Sequence, residues 1–142
     1  MLVYATEFIP SDATDEHLAR AINGARLTLA LIANGELYAA TPELTLLEVL
    51  VGPIKRGMTE LVELYKTQLV PGGSLDMLPV TRTVLEEAAK IRAAHNLKPP
   101  DAIHLASAIT ANCSILLCND HLLSARGTAS GEIEGMLLQD VE

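Results

Sequence analysis

The chain has 142 residues, 49% of them hydrophobic and 20% charged, enough for one soluble domain that buries its own core without staples. Ten Lys and Arg against eighteen Asp and Glu leave a net charge of −8, which excludes a general phosphate-backbone binder; contact with nucleic acid has to be local, through a metal or through a basic partner. Aromatics at 3%, with no Trp, disfavour a base-stacking RNA platform, and no apolar stretch reaches the ~18 residues of a membrane span.

Met1 to Ala5 opens the chain as a short apolar segment. Asp15 to Ala33 carries Leu18, Ala21, Ile22, Ala25, Leu29 and Ile32 at spacings of three and four, which predicts an amphipathic helix ended by Asn34-Gly35, with Gly35 as its left-handed cap. Leu37 to Ala40 predicts a short strand. Thr41 then caps a helix that begins at Pro42, passes through Glu48 and stops at Gly52-Pro53. Met58 to Leu69 predicts a helix ended by Pro71-Gly72-Gly73, and Leu75 to Val80 a strand. Thr83 to His95 reads as a helix. Pro99-Pro100 opens another, which carries Asp101, Ile103, His104, Ala106 and Ala108. Ser114 to Cys118 is too short for a helix and reads as a buried strand, with Met136 to Gln139 as the last one. Strands alternating with helices predict an α/β fold with a parallel sheet and right-handed crossovers.

The two cysteines, Cys113 and Cys118, are too few for a disulfide framework and lack zinc-site spacing. They read as small core residues of a protein from a reducing compartment. The N-terminus has neither the basic start nor the cleavage site of a signal peptide, so the expected location is the cytoplasm.

In a parallel sheet, ligands bind beyond the carboxyl ends of the strands. Asp120 follows directly on the apolar run Ile115-Leu116-Leu117, at a strand exit. Asp101 lies in the first turn of its helix, where by itself it reads as an ordinary acid favoured by the helix dipole. Glu48 stands in an apolar stretch, and Leu44, Thr45, Val51 and Gly52 at helical spacing offer it no opposite charge; it is either a solvated acid or a ligand. Three carboxylates at one crevice would suit a hard divalent cation such as Mg²⁺ or Mn²⁺. His104, three residues after Asp101, reads as a packing or hydrogen-bonded histidine. Lys55 and Arg56, after the Gly52-Pro53 stop, read as a solvated loop end with phosphate contact as the alternative.

Three of these segments carry a family resemblance. Leu44-Thr45-Leu46-Leu47-Glu48-Val49-Leu50-Val51-Gly52-Pro53 resembles the second acidic motif of PIN-domain nucleases, the VapC-like toxins among them. Pro99-Pro100-Asp101-Ala102-Ile103-His104-Leu105-Ala106-Ser107-Ala108 resembles their third motif, and Cys118-Asn119-Asp120 the acidic element at the end of a strand. Their order and spacing agree, so the resemblance spans nearly the whole chain. It implies a three-layer α/β/α domain over 1–142 with a central parallel sheet. It also implies cleavage of RNA phosphodiesters with Mg²⁺ or Mn²⁺, by in-line attack of a metal-activated water. Carried over by motif, Glu48, Asp101 and Asp120 are the catalytic, metal-site acids. The short chain further implies the toxin of a toxin–antitoxin pair, a small antitoxin partner and a homodimer.

Members of this family normally begin with a strand that ends in Asp, within a D-T-N triplet. Here Met1-Leu2-Val3-Tyr4-Ala5 looks like the segment just after that triplet, so the first strand and the first acid are expected to be absent. Glu7, Asp12 and Asp15 lie too far downstream to replace the acid. A natural start upstream of Met1 is the expected explanation. The other is a variant that drafts Met1 to Ala5 into the sheet as a substitute strand. Cys118 stands where the family often has a hydroxyl residue, and Leu122 where a further acid often follows. The alternative function is therefore a catalytically impaired PIN-like module that binds RNA or a protein. Nucleotide binding has no support, because neither G-x-x-x-x-G-K-[ST] nor G-x-G-x-x-G is present.

Overall fold

The computed structural model of the chain describes residues 2–5 and 15–141. Its elements are β1 (Leu2–Ala5), α1 (Asp15–Ala33), β2 (Ala39–Pro42), α2 (Leu44–Lys55), α3 (Thr59–Gln68) and β3 (Leu75–Leu78). They are followed by α4 (Arg82–His95), α5 (Pro99–Thr110), β4 (Ile115–Cys118), α6 (His121–Ala129), β5 (Glu134–Leu137) and a 3₁₀ turn at Leu138–Asp140. The five strands form one sheet in the order β3-β2-β1-β4-β5, and each pairing is parallel. The chain winds outward from β1 to β3, then crosses to the far side of β1 to begin β4. That reversal puts the topological switch point, and the crevice that goes with it, between β1 and β4.

Side chains alternate across β4, so its two faces support two apolar clusters. Leu116 and Cys118 join Val84, Ile91, Leu105 and Leu123 beneath α4, α5 and α6. Leu117 joins Ala21 of α1 and Ala39 on the opposite face. The result is the three-layer α/β/α arrangement, with helices on both faces of a parallel sheet. On α1, only part of the expected apolar stripe is buried: Ala21 turns inward, whereas Ile22 and Leu29 are exposed among the described residues.

Of the two readings of the opening segment, the strand pairing matches the one in which it is drafted into the sheet. Leu2–Ala5 is the central strand, in register with Ala39–Ala40 of β2 and with Ile115–Cys118 of β4. A central parallel strand is flanked on both edges and reads as a plain apolar run, so its four residues do not distinguish it from the start of a helix. The strand ends at Ala5, opposite Cys118 of β4.

Two boundaries also move. Thr41 and Pro42 do not open α2; they belong to β2, paired with Met77 and Leu78. Instead of capping a helix, the buried Thr41 hydroxyl shares a 2.6 Å hydrogen bond with that of Thr45. At its other end α2 runs past Gly52-Pro53 to Lys55, because the Arg56 amide bonds back to the Gly52 and Pro53 carbonyls and closes the turn that follows the proline. The Thr81 cap of α4 is made by its side chain, which accepts the Val84 amide at 3.3 Å. Gly35 adopts the expected left-handed conformation, φ 72°.

Candidate functional site

Helix α5 is the centre of the site. Ala102, His104, Leu105, Ala106, Ser107 and Ala108 are all buried, so the helix is enclosed on most of its circumference. Pro99 and Pro100 occupy its first positions, where the missing amide hydrogens cost nothing, and Asp101 follows in the same turn. A short turn, residues 111–114, joins the end of α5 to the amino end of β4. The N-terminus of α5, and Asp101 with it, therefore lies toward the carboxyl ends of the strands. Asp120 reaches the same edge directly, two residues beyond β4. Glu48 arrives from the second turn of α2.

Electrostatics shows which acids meet. Burial first, and then the neighbouring Asp120 carboxylate, hold Asp101 above the ordinary carboxylate range. His104 and Lys98 pull it down, and Glu48 adds a weaker upward push. Asp120 thus weighs more on the Asp101 charge than Glu48 does. Asp101 is partly buried, yet among the described residues its carboxylate has neither a hydrogen bond nor a side-chain ion pair. One Asp120 oxygen, Oδ1, accepts the Leu123 amide at 2.9 Å and caps α6. Glu48 Oε2 meets His104 Nε2 at 3.0 Å.

This donor set fits a hard divalent cation. The available ligands are carboxylate oxygens, and the nearby thiol is not a competitor: burial pushes Cys118 up to about 11, so it stays protonated at neutral pH. Among the described residues no group of three or more His, Cys, Asp and Glu side chains is gathered to enclose a metal. Mg²⁺ needs no such cage, since it keeps several waters and is typically held by one or two carboxylates together with substrate phosphates. Asp101 and Asp120 match that need, and a cation there would relieve the repulsion between them.

The structure thus brings Asp101, Asp120 and Glu48 to one edge from three separate elements. Lys55 and Arg56 are exposed at the last turn of α2, and the Arg56 guanidinium folds back beside Gly52, one turn from Glu48. The lysine that acts on Asp101 is Lys98, exposed at the cap of α5, which sequence reasoning passed over. Its signal was its position directly before Pro99-Pro100-Asp101. The pairing of His104 with Glu48 was missed as well, although each is a lone ionisable group in an apolar run. Leu122 is exposed in the first turn of α6 and adds no charge.

The family model of the PIN domain matches residues 8–127. With a parallel α/β/α sheet and acids at its switch point, the chain belongs to the PIN-domain family, whose members are generally nucleases. A solved toxin–antitoxin complex from Klebsiella pneumoniae contains a chain similar to this one, with a TM-score of 0.53 and 20% identity over 84% of this chain and 87% of that one. At that identity the likeness is one of fold. None of the curated proteins matches the chain.

Proposed function

We propose that this protein is a Mg²⁺- or Mn²⁺-dependent endoribonuclease, the VapC-like toxin of a toxin–antitoxin pair acting in the cytoplasm. The observation that carries the reading is the convergence of Asp101, Asp120 and Glu48 at the switch point, with a partly buried Asp101 that makes no ion pair among the described residues. In this reading Asp101 and Asp120 hold the ion, and Glu48 completes the set directly or through a water. When bound, the ion would offset charge on the phosphate and lower the pKa of a water. The residues supply the rest. The capping bond from Leu123 fixes the Asp120 carboxylate, the first turn of α5 fixes Asp101, and Lys98 offers an exposed charge for a phosphate on the strand.

A protein partner is supported by the outer face of α2. Leu47, Val51 and Ile54 are 62%, 41% and 60% exposed at spacings of four and three, and Met58 extends the stripe. A small antitoxin, or a second copy of the chain in a homodimer, would cover it. No described helix is long and apolar enough to cross a membrane.

Ala5 favours a second reading. The central strand ends without a carboxylate, which fits an impaired module that binds RNA or a protein without cutting it. One experiment separates the two. Purified protein is incubated with a mixed RNA pool in Mn²⁺, beside EDTA and Asp101→Asn controls. Cleavage that disappears in both controls is expected. RNA left intact by the wild type, or binding indifferent to EDTA, would favour the second reading.

A further inference from the structure

Glu48 and His104 are separated by 56 positions and meet at 3.0 Å. Their surroundings differ sharply. The His104 side chain is 0% exposed, whereas that of Glu48 is 26% exposed. The ring therefore belongs to the core and the carboxylate to the crevice. An ionised carboxylate has no proton to give, so the imidazole donates through Nε2–H. Nδ1 is buried and meets no hydrogen-bond partner among the described residues, and the Ser107 hydroxyl one turn along α5 is likewise unpartnered. The pairing therefore places a proton on Nε2, the nitrogen that faces Glu48.

We infer that His104 is a positioning residue that fixes the Glu48 carboxylate against the acid pair. The clamp takes Oε2 and leaves Oε1, which has no hydrogen bond among the described residues, for the crevice. Its anchor is rigid because His104 lies inside the most enclosed helix of the fold. The anchor is also aligned with the site: His104 and Asp101 are three residues apart on α5, so they share a face one turn apart. A glutamate on the partly exposed face of α2 would otherwise sample several rotamers. With Ala5 at the end of β1, the described residues bring no fourth acid to this edge, and a wandering Glu48 would leave only the aspartate pair among them. The inference rests on the metal reading above, and it assigns His104 an effect that travels only through Glu48.

Two measurements test it. The first uses nitrogen–proton NMR of the metal-free wild-type protein. A His104 Nε2–H signal protected from exchange with water is expected, and Glu48→Ala should shift or abolish it. No protected signal, or one indifferent to Glu48→Ala, would overturn the inference. The second is calorimetric titration with Mn²⁺. His104→Leu should weaken binding about tenfold, and His104→Gln, which keeps a donor near the Nε2 position, less than about threefold, in line with the effects of groups that orient metal ligands. In a Glu48→Ala background His104→Leu should cause no further loss. A loss that persists there, or Mn²⁺ binding unmoved by His104→Leu, would refute the positioning role. Wild-type protein that binds no Mn²⁺ would overturn the metal reading instead. The NMR signal would then decide alone whether His104 holds Glu48.

Discussion

Asp101 sits where burial and a neighbouring carboxylate both oppose its charge, and that has a consequence for stability. Its folded pKa is raised above the unfolded value, so the ionised form is penalised only in the folded state. Stability contributed by the protonated group is fully present below the ordinary Asp value and is lost as pH rises through the raised one. Asp101→Asn should therefore raise Tm at pH 7 in metal-free protein and give little gain near pH 3, as thermal melts across that range will show. The same variant should lose Mn²⁺ binding, so the site would be exchanging stability for function. At this scale much of the site was legible. Glu48 stood out as an acid without a local partner, Asp120 as an acid at a strand exit, and Asp101 through its motif. The roles of Lys98 and His104 were not legible, because each depends on a neighbour that only folding supplies: the Asp101 carboxylate for one, an acid 56 positions away for the other.

Where α6 packs on β5, a glycine permits a close approach of backbone to backbone. A Cβ on Gly135 would fall on the Ser124 carbonyl, 2.6 Å from its carbon and 2.8 Å from the Ser124 Cα, and backbone on both sides leaves nothing flexible to yield. Gly135→Ala should lower stability by about 3 kcal/mol or more, the upper end of overpacking penalties. Gly131 is the contrast: nothing lies within 4 Å of its added Cβ, and only its φ of 74° resists a side chain. Gly131→Ala should cost about 1–2 kcal/mol. Urea melts of both variants will rank them, and equal losses would count against the close approach. The helices with clear punctuation were predicted well, as with Asp15–Ala33 ended by Gly35 and α5 opened by its two prolines. The boundary between β2 and α2 was not. Thr41-Pro42 carries a good helix-start signal, but ladder pairing with Met77 and Leu78 outweighs it. Helix α6 has only weak amphipathic patterning and no capping Ser or Thr; its cap is Asp120, an acid already singled out for another role.

For the molecule as a whole, acidity and metal dependence are one question. A net charge of −8 disfavours phosphate, and a divalent ion at the crevice would offset that locally. Because the unfolded chain has no such site, Mn²⁺ at about a hundred times its Kd should stabilise the fold by about 2.7 kcal/mol, a rise in Tm on the order of 5–10 °C. EDTA should reverse the rise, and Asp101→Asn should not show it; scanning calorimetry in the three conditions is the check. Composition, hydrophobic period and motif order were enough to determine an α/β domain of PIN type and its three candidate acids, since these properties are local or ordered along the chain. Tertiary structure alone decided that Leu2–Ala5 is the central strand, that Asp120 opposes the Asp101 charge more strongly than Glu48 does, and that Glu48 is tied to His104. Those outcomes depend on which distant segments share a sheet or a crevice, and spacing along one chain does not encode distance across a fold.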